Sequence, residues 1–332
     1  MSLSIIKPGL LGTIQDMGRY GYGSLGINCG GAMDRYAAQV ANMLVGNSVH
    51  EPLMEIHFPG PQVLFEQNAL ICITGADFTP TLNDEPLPLW QPLVIRKNTI
   101  LHFPKLQAGA RSYIAIHGSF CIEEWLGSYS TNLKANAGGY YGRKFEKGDE
   151  LTAKENTIYF GAMMKQGKDV VALNWRADIA NAYQYPNEIF FIEGNEFAGL
   201  TETSAADFMQ NNFIIHPFSD RMGYRLKGPE LQLAVKTELV STGVSFGTIQ
   251  LLPDGELIVL MADHQTTGGY PRLGHVITAH LPKLAQLRPS DCVQFKKVTI
   301  DKAEALLFAQ QKELAILQTA CFEHLNELAC RQ

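Results

Sequence analysis

The sequence predicts a mainly β protein with few helices, folded as sandwich or barrel layers and ending in a long amphipathic helix. Three observations carry this. Short runs rich in β-branched and aromatic residues recur at 62–65, 70–74, 93–95, 100–103, 112–116, 157–160, 188–191, 212–215, 238–240, 247–252 and 256–260, a composition that fits a pleated, half-buried surface. Turn chemistry separates them, at Asn83-Asp84, Lys147-Gly148-Asp149, Pro253-Asp254-Gly255 and Arg288-Pro289-Ser290-Asp291, where glycine, proline and short polar side chains favour chain reversal. Helical periodicity is confined to two well-signalled places. Many short strands with few helices define layered β architectures.

The first helix opens at Asp34, whose side chain can cap it. Its apolar face is Ala37, Val40, Ala41, Leu44 and Val45, and Gly46-Asn47 supplies the left-handed stop. The second follows a D-x-x-E capping box, Asp301 and Glu304. Its stripe is Ala303, Leu306, Leu307, Leu314, Leu317, Cys321, Leu325 and Leu328, close to the 3.6-residue period. Such a stripe reports a covered face, which the helix's own protomer or a partner protein can supply.

The 332 residues suit two medium domains. With 46% apolar and 18% charged residues the chain can bury a sizeable core, which excludes a disordered protein. The formal charge of −6 gives no general attraction to nucleic acid or to an anionic membrane surface. No leader-like or membrane-spanning apolar run is evident, so a cytoplasmic protein is expected. The six cysteines form no CxxC or CxC pair and are read as reduced thiols. Two echoes hint at internal repetition. Gly12-Thr13-Ile14-Gln15 recurs as Gly247-Thr248-Ile249-Gln250, and Gly148-Asp149-Glu150-Leu151 resembles Ser290-Asp291-Cys292-Val293. Their offsets differ, so the choice lies between chance and two similar barrels with interleaved segments. The expected division is residues 1–200, 201–298 and a terminal helix over 299–332, with the boundary near 199–206 and the first fifty residues able to pack on the second domain.

Several chemistries are excluded by pattern. Gly21-Tyr22-Gly23-Ser24-Leu25-Gly26 matches GxGxxG, but Asn28-Cys29-Gly30-Gly31 follows where a helix is needed to hold a pyrophosphate. The run from Gly161 has five residues before Gly167-Lys168, and Asp169 stands where a P-loop requires Ser or Thr. His275 and His280 are spaced wrongly for zinc, and no GxSxG elbow occurs.

Three polar, glycine-rich stretches remain. In the first, Gly12 to Arg19 and Gly30-Gly31-Ala32-Met33-Asp34, Asp16 and Arg19 are suited to orient water or hold a carboxylate. A turn tie for Asp16, a surface pair for Arg19 and a helix cap for Asp34 are equally open. The second, Phe218 to Leu226, crowds Asp220, Arg221 and Arg225 into a short apolar segment, as a ligand contact or a surface salt bridge. The third, Asp263-His264-Gln265-Thr266-Thr267-Gly268-Gly269-Tyr270-Pro271, follows an apolar strand, so its polar groups emerge at a strand end on a rigid scaffold. Asp263 is the candidate general base and His264 the acid or anion partner. Thr266, Thr267 and the N–H groups of Gly268 and Gly269 make a candidate anion nest that Tyr270 closes.

At these residues the chain resembles the biotin-dependent carboxyltransferase-like family, which includes KipA-type proteins, allophanate hydrolase subunit 2 and the C subunit of 5-oxoprolinase, the last being the nearest branch. The resemblance rests on Lys7-Pro8-Gly9-Leu10-Leu11, Asp16-Met17-Gly18-Arg19, Gly31-Ala32-Met33-Asp34 and Ala41-Asn42-Met43-Leu44-Val45-Gly46-Asn47. It continues through Leu126-Gly127-Ser128, Ser219 to Leu226, Gly247 to Gln250, Asp263 to Pro271 and Leu284 to Pro289. It implies two cyclophilin-like β-barrel domains. It also implies membership of a complex with A and B subunits, the B subunit being KipI-like, which hydrolyses 5-oxo-L-proline to glutamate using ATP. In that reading the catalytic residues are Asp263, His264 and Asp16. Substrate contacts fall to Arg19, Asp34, Arg221, Gln265, Thr266, Thr267, Gly268, Gly269 and Tyr270, with no metal. The family also leaves open a regulator that captures a KipI-type kinase inhibitor, and a carboxyltransferase half of a urea carboxylase or allophanate hydrolase-like system. No Ala-Met-Lys-Met carrier segment is present, so no covalently attached biotin is expected on this chain.

The chain departs from the family pattern at four positions. His264 stands where relatives usually carry arginine, Thr242 for glutamate, Tyr129 for arginine and Ser290 for a turn glycine. A neutral imidazole cannot replace a permanent guanidinium charge.

Overall fold

A computed structural model of the chain describes residues 2–154, 168–235 and 239–330. The expected strand at 157–160, residues 161–167 and Glu238 lie outside the described residues. Leu239 and Val240 are not in a strand. By density of contacts the chain divides into two compact units. One comprises Met1–Gly18, Asp34–Ile179 and Lys312–Gln332, the other Arg19–Met33 and Ala180–Gln311.

In the first unit the strands are β1 (Ser2–Lys7), β2 (Gly12–Gln15), β3 (Leu53–His57), β4 (Gln62–Phe65), β5 (Ala69–Asp77), β6 (Thr81–Leu82), β7 (Glu85–Pro86), β8 (Pro92–Ile95), β9 (Thr99–His102), β10 (Ala108–Ile116), β11 (Glu150–Thr152) and β12 (Val170–Ala172). They form two six-stranded sheets, ordered β11-β1-β4-β9-β6-β7 and β12-β8-β5-β10-β3-β2. Both sheets feed one core, which contains Leu3, Ile5, Phe65, Ile71, Leu93, Leu101 and Ile114. Strand β1 alternates, sending Leu3 and Ile5 inward. Strand β5 is buried on both faces over most of its length, because α1 (Arg35–Leu44) packs on it and Thr74 Oγ1 donates to the Ala37 carbonyl at 2.7 Å. The helix is capped as expected, with Asp34 Oδ1 accepting from the Ala37 N–H at 2.9 Å. Gly46 is required twice over. Its φ is +75°, and a Cβ there would stand 2.4 Å from Leu325 Cδ1.

In the second unit α2 (Ala180–Tyr183) is followed by β13 (Glu188–Glu193), α3 (Glu202–Gln210), β14 (Phe213–Ile215), β15 (Gly223–Lys227), β16 (Thr242–Gly243), β17 (Thr248–Leu251), β18 (Leu257–Leu260), β19 (Thr267–Gly268), β20 (Arg272–Val276), α4 (Leu281–Ala285) and β21 (Cys292–Lys297). Seven of these strands close into a barrel, β13-β20-β17-β18-β15-β14-β21. The ring is sealed by a parallel pairing of β13 with β21, Glu188 opposite Gln294. Phe191, Phe208, Phe213 and Phe295 fill it, the rings of Phe208 and Phe295 stacking with centroids 5.0 Å apart. Because β13 is a barrel strand, the change of unit comes at 179–180, before the 199–206 stretch, which enters α3 instead. Of the first fifty residues, Arg19–Met33 belongs to the barrel unit.

The terminal helix α5 spans Ile300–Cys330. Its cap is Thr299, whose Oγ1 accepts from the Lys302 N–H at 3.3 Å, and not the expected Asp301, which lies inside the first turn. The β-branched hydroxyl one residue before the helix reaches the orphan N–H groups first. Leu314, Cys321 and Leu325 of the expected stripe are buried. Among the described residues no helix is long and apolar enough to cross a membrane.

Both sequence echoes correspond to matching structure. Gly12-Thr13-Ile14-Gln15 is β2, and Thr248-Ile249-Gln250 lies in β17, and each strand is buried along its whole length. In the second echo Gly148 and Ser290 both take a left-handed φ, +90° and +75°. The aspartate that follows each accepts from the N–H three residues back at 2.8 Å, Asp149 from Glu146 and Asp291 from Arg288. A serine in that conformation carries strain that glycine does not. Ser290→Gly is therefore expected to stabilise the chain by about 0.5–1 kcal/mol and raise its melting temperature. A lower melting temperature in calorimetry would show that the Ser290 side chain contributes more than its backbone strain costs.

Candidate active-site loop

Strand β18 delivers the chain to Asp263. The Asp263 carboxylate meets Arg221 side by side, Nε to Oδ2 at 2.8 Å and Nη2 to Oδ1 at 2.9 Å. The backbone repeats the link, the Asp263 N–H donating to the Arg221 carbonyl at 2.8 Å. The same two residues hold the 28–31 segment. Arg221 Nη2 donates to the Gly31 carbonyl at 2.7 Å, and Asn28 Nδ2 to the Asp263 carbonyl at 3.0 Å. Arg221 is 6% and Asp263 15% exposed, so this is a largely desolvated, bidentate pair. Geometry makes Asp263 an anchor of the loop, since both its oxygens face the guanidinium that a general base would have to leave.

His264 turns inward. It is buried, with Nδ1 against the Gln265 carbonyl at 2.5 Å. Gln265, Thr267 and Tyr270 are the exposed side chains of the stretch. Thr267 and Gly268 form β19, paired antiparallel with β16. Neither Gly268 nor Gly269 takes a left-handed φ, and Thr267–Gly268 is extended in β19, so the glycines do not form the nest expected over 266–269. The glycines serve close approach. A Cβ on Gly268 would lie 2.8 Å from Gln250 Nε2, and one on Gly269 3.2 Å from the Leu239 carbonyl oxygen and Ser241 Oγ. Gly269, Tyr270 and Pro271 line a cleft of about 720 Å³ together with Leu233, Leu251 and Asp254, a size that suits a small molecule.

The remaining expected residues fall into other roles. Asp16, in the first unit, is 4% exposed. Its Oδ1 accepts from Gly18 N–H at 2.7 Å, from Ser128 Oγ at 2.8 Å and from Ser130 Oγ, and its Oδ2 from Tyr129 N–H at 2.7 Å. That is the turn-tie reading, extended to a loop more than a hundred residues away in sequence. Asp34 is the helix cap, and its own N–H donates to Tyr113 Oη at 2.8 Å, which donates in turn to buried Glu55. Arg19 is 1% exposed, which rules out the surface pair, and its N–H donates to the Cys29 carbonyl. Thus the structure brings Arg221 and Asp263 into contact and places Gln265 to Tyr270 on the same loop, while Asp16 and Asp34 belong to the first unit.

Sequence reading passed over Gln250, Asn28 and the Glu196–Arg272 pair. Gln250 is fully buried in β17 beneath the loop, its Nε2 3.5 Å from the Tyr270 carbonyl. The repeated Thr-Ile-Gln was the signal, since Gln15 is likewise buried in β2. Thr242 accepts from Arg272 Nη1 at 2.9 Å. The carboxylate partner of Arg272 is Glu196, with Nη2 to Oε1 at 2.9 Å. Hydrogen bonding to Arg272 holds the Glu196 carboxyl below its usual range. A carboxyl depressed in the folded state adds stability that is complete above its unfolded pKa, about 4.3, and is lost as pH falls through the folded value. Glu196→Gln is expected to lower stability at neutral pH and to flatten this acid-side loss, read from urea melts against pH. An unchanged acid slope would sink the assignment. At Tyr129, hydrogen bonding to Glu124 pushes the phenol up to about 12, so it stays a neutral hydroxyl at physiological pH.

A closed seven-stranded barrel, joined in one chain to a two-sheet unit and carrying a polar loop at a barrel strand's end, is the arrangement that family and structural similarity assign to the carboxyltransferase class. The chain belongs to the family described as carboxyltransferase domain, subdomain A and B, which matches residues 25–297. It is 34% identical over 325 residues to the C subunit of 5-oxoprolinase from Escherichia coli strain K12, covering 98% of this chain and 99% of that one. To the 5-oxoprolinase C subunit of Haemophilus influenzae it is 33% identical over 294 residues, covering 89% and 90%. Among solved structures it is similar to the urea amidolyase of K. lactis, with a TM-score of 0.84 and 27% identity over 95% of this chain. It spans 20% of that larger protein.

Proposed function

We propose that the chain is the C subunit of an ATP-dependent 5-oxoprolinase, which together with an A subunit, and with a B subunit of KipI-like type, hydrolyses 5-oxo-L-proline to L-glutamate. The observation that carries this reading is the end-to-end similarity to two proteins named as C subunits of 5-oxoprolinase, whose alignments cover 98% and 89% of the chain. The loop after β18 supports it chemically. Gln265, Thr267 and Tyr270 are exposed donors and acceptors suited to a small amide with a carboxylate. The Arg221–Asp263 pair fixes the backbone that presents them, which is the rigid support a binding loop needs.

ATP belongs to the complex in this proposal. The GxGxxG segment forms a single 3-10 turn over Gly23–Leu25, and among the described residues no α-helix begins before Arg35. A phosphate there would lack the helix N-terminus that holds one, and no step is assigned to ATP on this chain. Covalently attached biotin is likewise not part of the proposal; Met164 and Lys165 lie outside the described residues.

The test is co-purification with the A and B subunits followed by a glutamate-release assay with ATP and 5-oxo-L-proline. Turnover is expected from the assembly of all three proteins and none from the pure chain. Coupled turnover by the chain alone, or its failure to bind either of the other two, would overturn the proposal.

A further inference from the structure

The cleft beside the loop after β18 is lined by three segments of the barrel unit, 230–233, 251–255 and 269–271, together with Leu239. Backbone hydrogen bonds tie these walls to one another. The Leu231 N–H donates to the Gly255 carbonyl at 3.0 Å, and the Leu251 N–H to the Pro271 carbonyl at 2.9 Å. Gly255 lies so close to Glu230 that a Cβ on it would stand 3.1 Å from Glu230 Cβ, which sets Glu230 and Asp254 on adjoining turns. The walls are therefore formed before any ligand arrives. The floor is apolar, with Leu231, Leu251 and Leu252 only 2%, 5% and 8% exposed. Two exposed carboxylates, Glu230 and Asp254, and the exposed Tyr270 complete the lining toward solvent. Asp254 Oδ1 accepts from the Glu256 N–H at 3.0 Å, which steadies its carboxylate. Among the described residues neither carboxylate pairs with a lysine, arginine or histidine, and no lining residue is basic.

We propose that this cleft binds a small organic cation, an ammonium or guanidinium carried on an apolar stem. The stem displaces water from the leucine floor, and that burial supplies most of the affinity. The positive end meets two carboxylates that the chain itself leaves without a cation, and the Tyr270 ring adds an aromatic surface that attracts cations. An anion meets the reverse. The carboxylate of 5-oxo-L-proline and the phosphates of ATP are repelled by the same two acids, with no basic lining residue to offset them. The cleft is thus a second site beside the loop, and the inference does not rest on the proposed oxoprolinase role. Its volume of about 720 Å³ exceeds what one lysine or arginine side chain fills, which favours a free molecule over a side chain of another protein.

Two probes with the same body and opposite charge test it on the full chain. Phenylpropylamine and phenylpropionate are titrated in turn at neutral pH, with binding read by saturation-transfer NMR. The amine should saturate a site, and the carboxylate should show none. Joint replacement Glu230→Gln and Asp254→Asn should weaken the amine by about fivefold, the size expected for two partly exposed charge contacts. Gln232→Lys, which puts an ammonium of the chain's own on the lining, should weaken it further. All three positions are exposed, so the variants should keep the wild-type melting curve. Added salt should weaken the amine as well, because its charge contacts are open to screening. Equal binding of the two probes, no binding of the amine, or amine binding that survives both variants would overturn the proposal.

Discussion

Asp263→Asn is expected to destabilise the chain by about 3–5 kcal/mol, the usual consequence of removing one partner from a buried ion pair. The reason is the charge left behind. Arg221 is 6% exposed and spends Nε and Nη2 on the Asp263 carboxylate; an asparagine returns at most one acceptor and no charge. The Gly31 carbonyl and the Asn28 amide hang on the same pair, so the 28–31 segment should loosen together with the loop after β18. Urea melts of Asp263→Asn, Arg221→Met and the double variant form a double-mutant cycle. The double variant should lose less than the sum of the single losses, because it strands no charge. Activity of the complex, measured well below the melting temperature, separates anchoring from chemistry. A variant that melts like wild type yet is inactive would return Asp263 to the role of general base.

Much of the fold was legible because its signals are local. The runs at 62–65, 70–74, 93–95 and 112–116 carry their own β-branched pattern and became β4, β5, β8 and β10. The Asp34 cap and the Gly46 stop each act within a few residues of themselves. Strand β2 falls in the polar, glycine-rich stretch from Gly12 to Arg19, whose composition points locally to a ligand contact and not to a buried strand. The burial of this strand depends on partners far away in sequence, with Gln15 Nε2 donating toward the Thr131 carbonyl at 3.5 Å and Thr131 Oγ1 to the Ile14 carbonyl at 2.9 Å. Barrel order was not readable for the same reason. The pairing of β13 with β21 joins residues about a hundred positions apart, and nothing in either hexamer specifies the other. The loop after β18 was legible as a strand-end cluster of polar residues. Its geometry was not, because the choice between a nest and extended backbone at Gly268 and Gly269 is made by Gln250 and the 239–243 segment packing against them.

Asp16→Ala is expected to cost about 4 kcal/mol, since each hydrogen bond to a buried charged group contributes roughly 1.5–3 kcal/mol and two of the stranded donors, the Ser128 and Ser130 hydroxyls, belong to buried residues. The four donors are the N–H groups of Gly18 and Tyr129 and the hydroxyls of Ser128 and Ser130, in a site where Asp16 itself is 4% exposed. The damage should be local first. Hydrogen exchange at the Tyr129 amide should speed up by more than exchange in β5 or β10, because Asp16 is what ties that turn to the end of β2. Asp16→Asn retains one carbonyl acceptor and should fall between wild type and Asp16→Ala. A carboxylate that holds four donors at 4% exposure is committed to that turn, so activity should follow the fraction folded across the series. If Asp16→Asn melts and exchanges like wild type while the assembled complex loses turnover, the carboxylate acts in the chemistry after all.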